Sequence, residues 1–319
     1  MKNLYEYFFY SYQRHTNAYY IFDKKYWTYH ETYRYIKNVT YILLKSGVGV
    51  NDRVGLYCEN SIEYVISYFA ILYLGATVVP INPLSKMDSI DYIVDGCNPK
   101  MILTSKILFN KIKNERVEVK SVCVKDIAMS DDLKIQDFTE GNIAAILYTS
   151  GTSGKPKGVM LTHENLIANT ESILSYLPIN NLDGTLIPLS FIYSYGNSVL
   201  LTHTKVGALI YLHNSIYPQE LIKFFKSYDI SGFSTVGSHL NILFKQKNFS
   251  DDVFKNLKYI TLAGEKTYAS DLIKLQHSNK NLKIFVMYGQ TEASARLTFL
   301  QPDKLFEKMG SVGRSIKGV

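Results

Sequence analysis

Residues 148–159 read YTSGTSGKPKGV, twelve residues with three Gly, two Ser, two Thr and two Lys. Such a run has too little apolar surface to pack a core, and its pattern is too specific for an idle linker. It follows an apolar segment, NIAAILYTS (142–150), that reads as a strand, and precedes THENLIANTESILSYL (162–177), which reads as a helix. A loop between strand and helix can turn its backbone N–H groups onto phosphate oxygens. Gly151, Gly154 and Gly158 allow the tight turns and close approach this requires. Thr149, Ser150, Thr152 and Ser153 supply hydroxyl donors, and Lys155 and Lys157 supply positive charge. The run is neither a Walker A loop nor a G-x-G-x-x-G fingerprint, since neither spacing fits.

Outward from this loop, helix and strand patterns alternate. Residues 31–46 carry apolar residues at helical spacing and stop at Gly47, a candidate C-cap. DRVGLYC (52–58), KMILTS (100–105), KSVCV (120–124), TLIPLS, ALIYLH, ISGFST, KYITLAG and KIFVMYG read as strands, with helical segments such as PQELIKFFKSY between. Thr162, with Asn165 three residues on, is the candidate cap of the helix after the loop. Continuous apolar strands separated by helices predict a mostly parallel sheet covered on both faces. A domain boundary is expected near residue 180, in the NNLDG turn, which gives units 1–180 and 181–319.

At 319 residues, 46% apolar and 20% charged, the chain has the composition of a globular protein with a sizeable core. The net charge of +7 is spread along the chain, without a basic block, recognition-helix pattern or zinc-finger spacing, so nucleic acid is not the expected partner. An anionic small molecule suits the charge as well. Cys58, Cys97 and Cys123 form no C-x-x-C pair, which points to a reducing compartment. MKNLYEYFFYSYQRH lacks the apolar core of a signal peptide. Residues 64–81 are uncharged, but three Tyr, Gly75 and Pro80 divide them into a buried helix and a buried strand, not a membrane span. A cytoplasmic protein is expected.

Several segments, in order, resemble the adenylate-forming superfamily of acyl- and aryl-CoA synthetases, nonribosomal peptide synthetase adenylation domains and luciferase. YTSGTSGKPKGV resembles its phosphate-binding signature, WTYHETY (27–33) an early motif, and LYLGATVVPINP (72–83) its second core motif. MYGQTEAS (287–294) resembles the Tyr-Gly-x-Thr-Glu motif, and GSVGRSIKGV (310–319) a Gly-rich run. The resemblance implies an α/β large domain with two mostly parallel, helix-covered sheets. It also implies activation of a small carboxylic acid by ATP and Mg²⁺ to an acyl-adenylate, then transfer to CoA or to a carrier-protein phosphopantetheine.

Residue by residue, the resemblance makes Thr291 a hydrogen-bond donor to the α-phosphate, Glu292 (with Thr152) a Mg²⁺ ligand, and Lys157 part of the catalytic set. The glycine-rich loop would take the β- and γ-phosphates. Tyr288, Gly289 and Gln290 would lie along the nucleotide, with Ala263, Gly264 and Glu265 of TLAGEKT as a second adenine loop. In IPLSFIYSYGNSVLL (187–201), Phe191 stands where the synthetases carry a His, and Tyr193 and Tyr195 lie close by. Gly196 takes the place of the Asp that pairs with an amino acid's ammonium in adenylation domains. An α-amino acid is therefore disfavoured and an acid with an uncharged tail expected, because a buried ammonium without a counter-charge is costly. His163, His203, His213 and His239 show no metal-ligand spacing and are read as structural.

By resemblance, family members continue with an Asp that grips the ribose, a hinge, and a small domain carrying a catalytic Lys. The sequence is thus expected to be the large domain alone, an engineered segment or a natural truncation, adenylating poorly and transferring to no thiol. Two other readings stay open: a carrier-loading adenylation enzyme for an amino acid, and a non-catalytic nucleotide-binding module.

Overall fold

The structure, a computed structural model, describes residues 3–112, 117–122, 139, 141–149, 156–214 and 217–319. The chain divides into two compact units, Met1–Ile167 and Ala168–Val319.

The first unit begins with helix α1 (Tyr5–Arg14), an antiparallel hairpin of β1 (Tyr19–Asp23) and β2 (Lys25–Thr28), and α2 (Tyr29–Lys45). Thr28 starts α2 with a capping box: its hydroxyl accepts from the Glu31 N–H at 3.1 Å, and the Glu31 carboxylate accepts from the Thr28 N–H at 2.8 Å. The chain continues through β3 (Arg53–Tyr57), α3 (Ile62–Tyr73), β4 (Thr77–Pro80), α4 (Met87–Cys97), β5 (Met101–Ser105), β6 (Glu118–Val122), β7 (Ile143–Thr149) and β8 (Lys157–Thr162). Its sheet runs β6-β5-β3-β4-β7-β8, parallel except at β8. The uncharged stretch 64–81 resolves, as its composition predicts, into α3, almost wholly buried, and the fully buried β4. Among the described residues no helix is long and apolar enough to cross a membrane.

The glycine-rich run does not open a helix. It joins β7 to β8, which pair antiparallel with Thr149 opposite Lys157 and Leu147 opposite Val159. The alternation Val159, Leu161 is a strand signal that the helical pattern after Thr162 masks. Only then does α5 (His163–Leu174) begin, with the expected cap: Asn165 N–H donates to the Thr162 hydroxyl at 3.1 Å, and Thr162 N–H to the Asn165 side-chain oxygen at 3.1 Å.

The division between units falls within α5, upstream of the turn near residue 180. At its first residue, His163 Nδ1 accepts the Leu4 N–H at 3.2 Å. Its last turn belongs to the other unit, where Ile173 and, just past the helix, Leu177 join a core with Tyr259, Phe285, Met287 and Phe299. A boundary inside a helix leaves no composition shift at a turn to mark it.

The second unit alternates β9 (Gly184–Ile187), α6 (Ser194–Val206), β10 (Leu209–Leu212), α7 (Pro218–Ser227), β11 (Gly232–Thr235), α8 (Gly237–Phe244), β12 (Tyr259–Leu262), α9 (Ala269–Ser278) and β13 (Lys283–Tyr288). It ends with β14 (Thr298–Leu300) and β15 (Arg314–Ser315). Within it the strands run β15-β14-β13-β12-β11-β9-β10; β13 through β10 are parallel, and β14 and β15 are antiparallel. Strands β9, β11 and β12 are buried at every residue, as strands covered on both faces must be.

Candidate active site

A parallel sheet aligns its strands' carboxyl ends on one edge, and the loops leaving that edge enclose ligand crevices. In the second unit this edge bounds a cavity of about 350 Å³. Its walls come from the segment after β9 and the start of α6 (Leu189, Ser190 and Tyr193–Gly196), from Val236 after β11, from Ala263 and Gly264 after β12, and from Tyr288–Thr291 with Ala295 and Arg296 after β13.

The last of these is a folded-back loop. Tyr288 pairs with Thr298 across the β13–β14 ladder, and the Leu297 N–H donates to Tyr288 O at 2.9 Å, which pinches the residues between into a closed turn. Thr291–Ala293 form one 3₁₀ turn, and Ser294 and Ala295 follow at φ 62° and 113°. This reversal directs the next residue inward, so Arg296 is only 2% exposed. Gly289 is required by the same turn, because a Cβ there would lie 1.6 Å from the Ala295 carbonyl oxygen. Asn169 ties the loop down, donating from Nδ2 to Arg296 O at 2.8 Å.

At the cavity the hydroxyls of Ser194 and Thr291 lie 3.3 Å apart. Tyr195 donates to Thr261 O at 2.8 Å, and the Thr261 hydroxyl donates to Ser234 Oγ at 2.8 Å. Burial pushes the Tyr195 phenol up to about 12, so it stays protonated near neutral pH. Tyr193 and Tyr288, 56% and 49% exposed, stand at the wall as open aromatic faces. Glu292 is exposed beside Thr291.

The structure therefore gathers Tyr193, Tyr195, Gly196, Ala263, Gly264, Tyr288, Gly289, Gln290 and Thr291 around one chamber. Phe191, expected at the substrate, is fully buried and does not line it; it serves the core. Glu265 also stands off the wall, where its carboxylate accepts the Ser238 N–H and caps α8. Ser150, Gly151, Thr152, Ser153, Gly154 and Lys155 lie outside the described residues. Thr149 is half-buried, and Lys157 and Gly158 are exposed on β8. Among the described residues, no three His, Cys, Asp or Glu side chains gather as a metal site. Sequence reasoning missed Ser194 and Arg296; Arg296 lies two residues past the motif quoted there, and its signal was a charge inside an otherwise small and apolar run.

His203, read as structural, is fully buried in α6. Its Nδ1 meets Val199 O at 2.8 Å and its Nε2 the Tyr259 hydroxyl at 2.7 Å. Burial pulls its pKa down to about 4.

A family model described as AMP-binding enzyme matches residues 8–319. Gramicidin S synthase 2 of Aneurinibacillus migulanus is 28% identical over 91% of this chain and 6% of its own length. The 2-succinylbenzoate–CoA ligase of Bacillus licheniformis is 28% identical over 86% of this chain and 57% of its own. The chain thus spans less than two thirds of these relatives. An inhibitor-bound N-terminal domain of FACL13 from Mycobacterium tuberculosis shares the fold, with a TM-score of 0.86 at 18% identity, over 99% of this chain and 83% of that one.

Proposed function

This chain belongs to the AMP-binding enzyme family, and from that premise we propose that its second unit binds a carboxylic acid against the α-phosphate of ATP and joins the two as an acyl-adenylate. In this reaction a carboxylate oxygen forms a bond to the α-phosphorus, the bond from that phosphorus to the β-bridging oxygen breaks, and pyrophosphate leaves. Charge develops on the oxygens around phosphorus, so the protein's work is positioning and hydrogen-bond donation.

The observation that carries the reading is a single chamber in which the Thr291 hydroxyl, 3.3 Å from Ser194 Oγ, adjoins both the aromatic wall of Tyr193 and Tyr195 and the strand ends at Ala263, Gly264 and Tyr288. Thr291 donates to the α-phosphate, and Tyr288, Gly289 and Gln290 with Ala263 and Gly264 receive the adenosine. The acid lies toward Tyr193, Tyr195 and Gly196. The exposed Glu292 carboxylate is a hard oxygen donor next to Thr291, a chemistry that suits Mg²⁺, which would supply charge neutralisation on the phosphates. The loop 149–158 with Lys155 and Lys157, whose sequence resembles the family's phosphate-binding signature, is assigned to phosphate oxygens. Transfer to a thiol, of CoA or of phosphopantetheine on a carrier protein, is the second half-reaction of the whole protein. Free thiols at Cys58 and Cys97 support a cytoplasmic setting.

An α-amino acid held through an Asp at position 196 is disfavoured, because a Cβ there would stand 2.3 Å from Ser190 O.

The test is pyrophosphate release from Mg²⁺–ATP over a panel of carboxylic acids. Acid-dependent release is expected, with kcat/KM falling by about 100-fold in Thr291→Ala. ATP binding that ignores both Mg²⁺ and every acid, with no release, would overturn the reading in favour of a binding module.

A further inference from the structure

Arg296 presents a problem that acid adenylation alone does not solve. The residue is 2% exposed at the wall of the cavity, and its guanidinium is a five-donor cation with no acceptor. Among the described residues Nη1 reaches only the Tyr176 hydroxyl at 3.3 Å and Met287 sulfur at 3.4 Å. Nε and Nη2 are buried without any hydrogen-bond partner among the described residues. The Tyr195 ring lies 5.4 Å from the guanidinium carbon, a modest compensation for a desolvated cation. No described carboxylate forms an ion pair with it: of the two described acids buried in this unit, Asp183 is engaged by Lys258 at 2.8 Å and Asp271 accepts from Asn241 Nδ2 at 3.5 Å. A buried charge without a partner is retained only where something else supplies the partner.

Resting on the adenylation reading, we infer that the acid taken by this cavity carries a second carboxylate, and that Arg296 is the side chain that selects it. The reacting carboxylate goes to the Thr291 side of the chamber, and the far one lies on the Arg296–Tyr195 side. Two facts favour this assignment. The free guanidinium nitrogens, Nε and Nη2, form the fork edge that matches a carboxylate. The neighbours Tyr195, Tyr176 and Met287 are uncharged, so an arriving anion meets attraction in a low dielectric. Gly196 in place of an Asp disfavours an α-amino acid and led to the expectation of an uncharged tail; the buried cation gives the chamber a positive sign instead.

The experiment measures kcat/KM for pyrophosphate release by the full chain with linear dicarboxylic acids from succinate to suberate and the benzenedicarboxylic acids, each against its own monomethyl ester. At least one diacid is expected to exceed its half-ester by about 100-fold or more, since a site built around a buried polar group rejects the analogue that leaves it unpaired. In Arg296→Met that ratio should fall toward one, and in Arg296→Lys part of it should return. Half-esters or simple monoacids turned over with no diacid preference would overturn the inference and leave the adenylation reading standing. So would an Arg296→Met variant that slows diacid and half-ester equally, which would assign the cation to the phosphate or to the fold. Release from no acid at all counts against the adenylation reading itself. Should Arg296→Met fail to fold, the diacid-to-half-ester ratio of the unmodified protein decides alone.

Discussion

Replacing Gly289 with Ala tests the geometry of the candidate site at its tightest point. The added Cβ would lie 1.6 Å from Ala295 O, 2.7 Å from Ala295 C and 3.0 Å from Arg296 Cα. All three are backbone atoms, so no rotamer change relieves the clash. The carbonyl would have to recede by about 1.5 Å, and overpacking of this kind costs about 3 kcal/mol, the upper end of what yielding cores show. The loop cannot open freely, because the Leu297–Tyr288 hydrogen bond at 2.9 Å and the Asn169–Arg296 bond at 2.8 Å hold its two sides. Thr291 lies within the displaced segment, and a shift of roughly 1 Å at a positioning group costs about 100-fold in rate. Gly289→Ala should therefore lower the thermal midpoint by several degrees and reduce kcat/KM for acid-dependent pyrophosphate release by about 100-fold. Gly49→Ala is the control, since its Cβ meets nothing within 4 Å, and it should change neither quantity. A Gly289→Ala protein with an unchanged midpoint and rate within twofold of wild type would refute the claim that this turn fixes the site.

Gly196→Asp, which restores the residue that amino-acid-activating domains carry, should destabilise the protein by about 2 kcal/mol or more in urea unfolding, because its Cβ meets Ser190 O at 2.3 Å; gain of amino-acid activation with undiminished stability would contradict it. Stability should also fall on acidification. His203, ordinarily near 6.5, is held to about 4, as is His163, so between those values the unfolded chain takes up protons that the native state refuses. The loss begins below pH 6.5, is complete near pH 4, and amounts to about 3 kcal/mol for His203 at full extent. A urea midpoint that stays flat from pH 7 to 4.5 would exclude this, and His203→Gln should flatten the slope.

The elements that the sequence made legible are those whose signals are local. The apolar runs that became β3, β4, β12 and β13 need only be read as continuous, and the cap of α5 lies three residues from the group it satisfies. What escaped depends on contacts that periodicity cannot carry. Strand β8 follows a glycine-rich run and is followed at once by a helix cap, so its short alternation yields to the stronger helical pattern behind it. Phe191 matched a substrate position by alignment, yet a side chain's depth depends on what packs above it, and there the residue is fully buried.

Arg296 is the sharper case. As one letter in TEASARLTF it looks like a surface charge, the usual fate of an Arg. Only the two consecutive positive-φ residues before it reverse the chain and turn it inward. Neither Ser294 nor Ala295 announces that conformation as a glycine would, so the sign of the chamber's charge could not be read from composition. The backbone cost of those two residues, in a loop where Gly289 leaves no slack, has its physical reason if the cation they deliver is needed where it stands.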